Sequence, residues 1–449
     1  LPFGTRQRIR RVVGIFTMYI YQELAARADR PVQVGLIGAG KFGSMFLSQI
    51  PTTIGLEVAA IADLDVERAK NTCRKVGWSE EQLAKTKFFE NTQTMLDSSR
   101  IDVVVEATGN PAVGISHAKM AIERKLHIVM VNVEADVLAG AILAKEARDA
   151  GVVYSMAYGD QPALTIELVE WARASGFHVV AAGKGTKYLP NYHYSTPDTV
   201  WDHYGLTPEQ AADAGMNSQM FNSFLDGTKS ALEMAAISNA TGLKSPENGL
   251  AFPAAGMDDL AHVLRPRSVG GQLDETGMVE VVTSIERDQR PVYRDLRWGV
   301  YVVIEAPNDY ASACFKQYGM NTDETGRFSA MYKPFHLIGL ELNISILSAA
   351  LLNKPTGSTM DFNADVVATA KRDLKAGEIL DGEGGFTVYG RLCPAKKSLD
   401  LGGLPIGLAH HVKLISNVPK DHPIKWADVE IDLTSEAVST RKAMEAMYR

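Results

Sequence analysis

Residues 32–50, VQVGLIGAGKFGSMFLSQI, constrain this chain more than any other stretch. The short continuous apolar run reads as a strand buried on both faces, and the segment after it as a helix. Between them stand Gly38, Gly40 and Gly43, spaced G-x-G-x-x-G. In such a turn the first glycine permits a tight reversal. The second admits a pyrophosphate against the backbone, and the third lets helix and strand pack closely. The helix N-terminus then offers free N–H groups and a partial positive charge to phosphate. Alone, the motif is weak. Its context strengthens it, because LEVAAIADLD reads as a second strand ending in Asp63, twenty residues beyond Gly43. An acid there accepts hydrogen bonds from a ribose 2′-hydroxyl. The competing reading is a glycine-rich turn beside a surface aspartate. Lys41 and Phe42 are assigned to the cofactor with the three glycines.

The same rhythm continues. VERAKNTCRKVG, PAVGISHAKMAIERK and DVLAGAILAKEARDAG read as helices, and IDVVVEATG, HIVMVN and VVYSMAYG as strands. Their alternation predicts an α/β fold, a Rossmann-type doubly wound parallel sheet, over residues 31–158. Residues 159–352 mix helical segments such as ALTIELVEWARAS with strands such as HVVAAGKG and GVYVVIEA, and read as an α+β catalytic or substrate domain. NKPTGSTMDFN (353–363) reads as a linker. Residues 362–433 are punctuated by Gly and Pro at almost every strand and predict a small β module. Residues 1–30 read as an N-terminal extension with a short amphipathic lead-in helix, Met18 to Arg27. Its first part carries Arg6, Arg8, Arg10 and Arg11 and no acid, followed by an apolar run too short and broken for a secretory signal. A natural start near Met18 is the expectation.

A chain of 449 residues is too long for one compact core, so two or three domains are expected. The net charge of −7 argues against a nucleic-acid partner, which needs a basic face. Cys73, Cys314 and Cys393 are far apart and form no C-x-x-C. Neither a disulfide framework nor a thiolate zinc site is indicated, and a reducing cytoplasm is the expected location. No run of 18 apolar residues exists, so no membrane span is predicted.

Asp63 bears on cofactor choice. A carboxylate there repels the 2′-phosphate of NADP, and Leu64, Asp65, Val66 and Glu67 precede the first arginine, Arg68. NAD is therefore predicted over NADP, unless Asp63 points away and Arg68 folds back. EATGNP (106–111) suits the loop beneath a nicotinamide ribose, through Thr108 and Gly109. It reads equally as a plain turn with Asn110 capping the helix that Pro111 opens.

Four polar clusters fall at or just beyond strand ends, where doubly wound sheets bind ligands. VNVEAD offers Asn132, Glu134 and Asp136, and YGDQP offers Asp160 and Gln161. GKGTKYLPNYH offers Lys184, Thr186 and Lys187 on a glycine-flanked loop. FLDGTKSALEMAAISNATG offers Asp226, Lys229 and Glu233. Hydride transfer at a carbonyl needs a proton donor or acceptor on the oxygen, and a lysine whose pKa burial has lowered can serve. Lys184 and Lys229 are the candidates, with Asp226 and Glu233 at i−3 and i+4 able to share the helix face of Lys229. Glu134, Asp136 and Asp160 could hold a divalent metal, but N-capping by Asp136 is the favoured reading, and no metal site is predicted. His410–His411 lacks a partner acid at metal spacing. His262 and His336 read as structural.

At this point a family resemblance emerges. VGLIGAGKFG, IDVVVEATG, HIVMVNVEAD, VVYSMAYGDQPA and AAGKGTKYLPN, in that order, resemble homoserine dehydrogenase-type oxidoreductases. MVNVEADV, AAGKG, EMAAISNATGL and PFHLIGLE are similar to a subgroup, the deoxyxylulose-phosphate reductoisomerase-like (DRL) oxidoreductases. ATAKRDLKAGEIL and GLPIGLAHHVKLISNVPKDHPI resemble a SAF-type β-clip module. There are departures. Val133 follows Asn132 where the family carries lysine. Asp226 and Lys229 stand one residue closer than the Asp–Lys pair of homoserine dehydrogenases. Asp63 replaces the basic residues that suit NADPH.

The resemblance implies NAD(P)-linked hydride transfer to or from a small polyhydroxylated sugar acid, polyol or sugar phosphate. Lys229 or Lys184, with Asp226, takes the catalytic roles. Glu134, Asp160, Thr186 and Lys187 face substrate, the Gly185–Lys187 loop holds an anionic group, and Asn132 joins the cofactor site. It further implies a homo-oligomer. The alternatives are NADPH-driven reduction and isomerisation of deoxyxylulose phosphate to methylerythritol phosphate, homoserine dehydrogenase, and a non-catalytic NAD-sensing protein.

Overall fold

The computed structural model describes residues 20–25 and 27–449, so the arginine-rich stretch and the start expected at Met18 lie outside the described residues. The lead-in helix covers Ile20–Ala25.

Six parallel strands form the first sheet: β1 (Val32–Ile37), β2 (Leu56–Ala62), β3 (Lys87–Phe89), β4 (Val103–Glu106), β5 (His127–Met130) and β6 (Tyr154–Met156), in the order β3-β2-β1-β4-β5-β6. The edge strand β3 was not read from sequence, because three residues show no periodicity. Val34, Leu36 and Val103 to Val105 lose all solvent contact. Each such side chain contributes about 1.5–3 kcal/mol of burial. One face packs Phe46, Leu47 and Ile346, the other Ile115, Leu138 and Leu143. The strand order reverses between β1 and β4, which opens a crevice at the carboxyl ends.

A second, mixed sheet runs β10-β9-β7-β8, from β7 (His178–Thr186), β8 (Met278–Thr283), β9 (Val300–Glu305) and β10 (Phe328–Lys333). The helices Gln161–Ala174 and Thr228–Thr241 lie against it. The first part of the segment read as a glycine-flanked loop, Gly183 to Thr186, forms the C-terminal end of β7. A Cβ on Gly183 would lie 1.9 Å from the Glu280 carbonyl oxygen, and one on Gly185 1.9 Å from that of Leu296. These glycines admit neighbouring backbones rather than a ligand.

Towards the C-terminus, β11 (Ala364–Ala370) pairs antiparallel with β13 (Val388–Pro394). β12 (Ile379–Asp381), β14 (His410–Leu414) and β15 (Val429–Glu430) form a separate sheet. Residues 353–363 are no free linker. The Gly357 carbonyl accepts from Met156 N at 2.7 Å, and Thr359 Oγ1 donates to Asp136 at 2.9 Å. The closing helix Glu436–Met447 lay beyond the predicted module and packs on the helices Pro111–Glu123 and Val133–Ala150. Its fully buried Arg441 bonds Asp365 at 2.5 Å, Glu445 at 3.0 Å and the Leu138 carbonyl at 3.3 Å. No helix among the described residues is long and apolar enough to cross a membrane.

Candidate active site

The glycine turn follows β1 directly. Gly38 adopts φ +92°, and a Cβ there would lie 2.9 Å from the Ala107 carbonyl oxygen. A Cβ on Gly43 would lie 2.3 Å from the carbonyl oxygen of Gly38. Gly40 caps the helix Lys41–Gln49 with no side-chain bond, and nothing stands within 4 Å of where its Cβ would be. Free N–H groups thus face an open cradle, which fits a dinucleotide pyrophosphate. Lys41 is exposed, and Phe42 packs against the β1 core. Gly43→Val drives backbone atoms apart, so it is expected to weaken NADH binding at least about tenfold, or 1.4 kcal/mol. Fluorescence titration measures this, and unchanged affinity would contradict the assignment of the cradle.

Asp63 is buried and accepts from Ala39 N at 2.8 Å, Asp65 N at 2.9 Å and Arg68 Nη2 at 2.7 Å. Burial pushes its pKa up, but these donors outweigh burial and hold the carboxyl below its ordinary range. Arg68 therefore does fold back, with 59% of its side chain exposed. The acid expected to serve a ribose is shared between the turn and an arginine.

At the end of β4, buried Glu106 accepts from Thr108 N at 3.2 Å and from the Thr108 hydroxyl. Gly109 follows at φ +71°. Asn110 caps the helix Pro111–Glu123, accepting from Val113 N at 3.1 Å. Asn132 donates to the Asn110 carbonyl at 2.8 Å and accepts from Ala135 N at 3.0 Å. The Asn132 amide thus ties two strand ends together.

Asn132, not Asp136, caps the helix Val133–Ala150. Its side chain reaches the free N–H of Ala135, so the helix starts earlier than expected, and Glu134 and Asp136 both sit in its first turn. Two residues apart on a helix, they diverge by about 200°. Asp136 accepts from Tyr154 Oη at 3.0 Å and from Thr359, and burial pushes its pKa up to about 6. Glu134 faces the opposite way. Among the described residues no three His, Cys, Asp or Glu side chains converge as a metal-holding group.

Glu134 meets Lys229, whose Nζ lies 2.6 Å from Glu134 Oε1. The predicted pairing of Lys229 with Asp226 and Glu233 does not form. Asp226 instead accepts from Thr228 N at 2.9 Å and pairs with Lys371 at 2.8 Å. Glu233 pairs with buried Lys184 on β7. Asp160, also buried, accepts from Gln161 N at 2.9 Å at the head of the helix Gln161–Ala174. Thr186 ends β7, with its carbonyl accepting from Ser284 N at 2.8 Å. Lys187 donates to the His203 carbonyl at 2.5 Å. The residues expected to hold an anion are thus committed to the protein's own backbone.

The charge balance reverses one expectation. Burial pulls the Lys229 pKa down, but Glu134, Asp160, Glu233 and Glu383 outweigh it, and the net shift is upward. The ammonium stays charged. The groups poised near neutrality are carboxyls. Burial, then Glu233, pushes Asp160 up to about 6 against the pull of Lys229 and His336. Burial, then Glu134, pushes Glu383 up to about 8. Lys371, His336 and Glu383 carried no sequence signal for a site, except that Glu383 stands between Gly382 and Gly384.

Residues 32–158 match the profile of an oxidoreductase family with an NAD-binding Rossmann fold. Residues 159–342 match the profile of the catalytic domain of oxidoreductase DRL. No curated protein matches. Solved structures similar to it include the WlbA dehydrogenase of Bordetella pertussis with NADH and UDP-GlcNAcA, at 19% identity and TM-score 0.28, over 37% of this chain and 47% of that one. An inositol dehydrogenase homolog with NAD⁺ from Azotobacter vinelandii has 17% identity and TM-score 0.27, over 43% and 53%. A probable dehydrogenase of Thermotoga maritima has 13% identity and TM-score 0.37, over 72% and 90%. The match thus spans about half the length of the first two.

Proposed function

We propose that this chain moves a hydride between NAD and a hydroxyl-bearing carbon of a small sugar acid, polyol or sugar phosphate. The observation that supports this most is Lys229, whose side chain is 14% exposed and which stays charged beside Glu134 and within the field of Asp160. The bound dinucleotide supplies or accepts the hydride. Lys229 donates to the substrate oxygen and stabilises its negative charge, which in a dry site is the largest single contribution such a group makes. Glu134 holds the ammonium in place, and Lys184, through Glu233, backs the same helix. Asp160 exchanges the proton.

The sign of the pH dependence follows. In alcohol oxidation Asp160 must be ionised, so the rate rises as pH rises through about 6. In carbonyl reduction it must be protonated, so the rate falls over the same range. Asp160→Asn removes that limb. The test is turnover of NAD⁺ and NADP⁺ against panels of polyols, sugar acids and sugar phosphates across pH. Dinucleotide binding without turnover of any of them would sink this reading in favour of a sensing protein.

NAD is proposed over NADP because Asp63 is ionised at the end of β2. Calorimetry is expected to show NAD⁺ binding at least about tenfold tighter, with Asp63→Ala erasing the difference; tenfold is 1.4 kcal/mol. Arg68 favours a second reading, in which its exposed guanidinium takes a 2′-phosphate. In that case NADP⁺ wins in the wild type, Arg68→Ala weakens NADP⁺ alone, and the reductive reactions, including that on deoxyxylulose phosphate, move to first place. The division into residues 31–158, 159–352 and 362–433, with a SAF-type module last, is proposed with this assignment.

A further inference from the structure

We propose that the aromatic cavity where β13 meets the helix Thr228–Thr241 is a second ligand site, one that takes a small hydroxylated aromatic carboxylate. It lies apart from the Lys229 site, and one of its walls belongs to a part of the chain that neither family profile covers.

The cavity encloses about 320 Å³. That is the small end of the usual range for ligand sites, about 300–1,000 Å³. Gly227 and Ala231, at the start of the helix, line its buried part with Leu392 of β13. Lys229 and Glu233 stand two residues to either side of Ala231, which is about 200° round the helix. They meet Glu134 and Lys184 on that opposite face. The thickness of the helix therefore separates the cavity from Lys229.

Its walls are held firmly. Phe252 adopts φ +49°, a left-handed conformation that is costly for a bulky residue. Its backbone is clamped from two sides. Buried Glu280 accepts from Ala251 N at 3.1 Å and from Phe252 N at 3.3 Å. Arg287 Nη2 donates to the Ala251 and Phe252 carbonyls at 2.9 and 3.0 Å. The Phe252 ring then stacks on Tyr188 with centroids 3.8 Å apart, and His193 stacks on Tyr389 at 4.5 Å. Strain that the surroundings maintain in this way collects where ligands are clamped.

Three polar groups of the cavity keep bonding capacity to spare. Tyr389 is 4% exposed, and its hydroxyl makes no hydrogen bond with any described residue. Buried hydroxyls are nearly always bonded. His193 Nδ1 lies 2.7 Å from the Asp226 carbonyl oxygen, which can only accept. Nδ1 thus carries the proton, and Nε2 is an acceptor without a partner among the described residues. Arg391 is exposed at the mouth. Its Nε and Nη2 donate to the Asn248 carbonyl at 3.3 and 2.8 Å, and no carboxylate among the described residues pairs with it. Asp421, also at the mouth, is already engaged. Tyr194 Oη lies 3.0 Å from both of its oxygens, and Lys420 Nζ lies 3.6 Å from the centre of the Tyr194 ring.

These groups define the ligand. Arg391 takes a carboxylate at the mouth. His193 and Tyr389 take a hydroxyl deeper in. Leu250, Phe252 and Leu392 offer side chains without hydrogen bonds. A flat apolar ring suits them, whereas the hydroxyls of a polyol would lose water there without replacement.

The test is calorimetric titration of the full chain with 4-hydroxybenzoate, and with gluconate as the polyol acid for comparison. The wild type is expected to bind one 4-hydroxybenzoate per chain, at least about tenfold more tightly than gluconate. Arg391→Met is expected to weaken binding at least about tenfold, and Tyr389→Phe about threefold or more. Saturation with NADH, and separately Lys229→Met, should each leave the affinity within about twofold. No binding to the wild type overturns the proposal, as does unchanged affinity in Arg391→Met or a preference for gluconate. Displacement by NADH overturns it too, because the probe would then sit in the dinucleotide crevice. Arg391 is exposed, so its replacement spares the core, and NADH binding by the variant verifies that it is folded. A wild type that binds no NADH would defeat the oxidoreductase reading, while this titration would still decide the cavity.

Discussion

Lys229→Met is expected to lower kcat/KM by about a thousandfold, while NADH affinity stays within about twofold. Methionine fills the stem of the side chain but removes the cation that, among the described residues, pairs with Glu134. Loss of one preorganised donor to a developing oxyanion costs about 10²–10³ in rate. The remaining effect comes from Glu134, which then confronts the substrate oxygen as a bare carboxylate or takes up a proton. Steady-state kinetics on the best substrate, with cofactor titration beside it, makes the measurement. A loss under tenfold would mean that Lys229 is a structural ion-pair partner and that the chemistry lies elsewhere. Lys229→Met with Glu134→Gln separates the two effects, because the double variant has no unpaired buried charge. If the donor matters, it stays slow while regaining stability.

Arg441→Met is expected to destabilise the protein by about 3–5 kcal/mol, the usual consequence of leaving a buried charge without its partner. Arg441 is the largest fully buried side chain, and it joins Asp365 on β11, Glu445 and the Leu138 carbonyl. Asp365 is bound further by Ser398 Oγ at 2.5 Å and would keep a stranded charge. Urea unfolding, read as a shift in midpoint at constant slope, makes the comparison. Arg441→Met with Asp365→Asn is expected to recover a large part of the loss. A shift below about 1 kcal/mol would show that the closing helix is held by its apolar face alone.

The glycine turn and its strands were legible because their cause is local. Close backbone approach at Gly38 and Gly43 demands glycine, and burial on both faces demands an unbroken β-branched run. Asn110 was legible as a cap for the same reason. The reading failed where a neighbour distant in sequence decided the role. Gly183 and Gly185 look like the flanks of a ligand loop, but the backbones they admit belong to Glu280 and Leu296. Asp226 and Glu233 have helix spacing to Lys229, but each finds a better lysine, Lys371 and Lys184, from another element.

By itself, the sequence determined the doubly wound sheet and the place of the glycine turn after its first strand, since these follow from periodicity and glycine sterics. Only the tertiary structure decided which charge meets which. Ion pairing falls off steeply with distance and rises as water is excluded. The partner of Lys229, its persistent charge, and the raised pKa of Asp160 and Glu383 therefore depend on helices and a β loop brought together from residues 134 to 383.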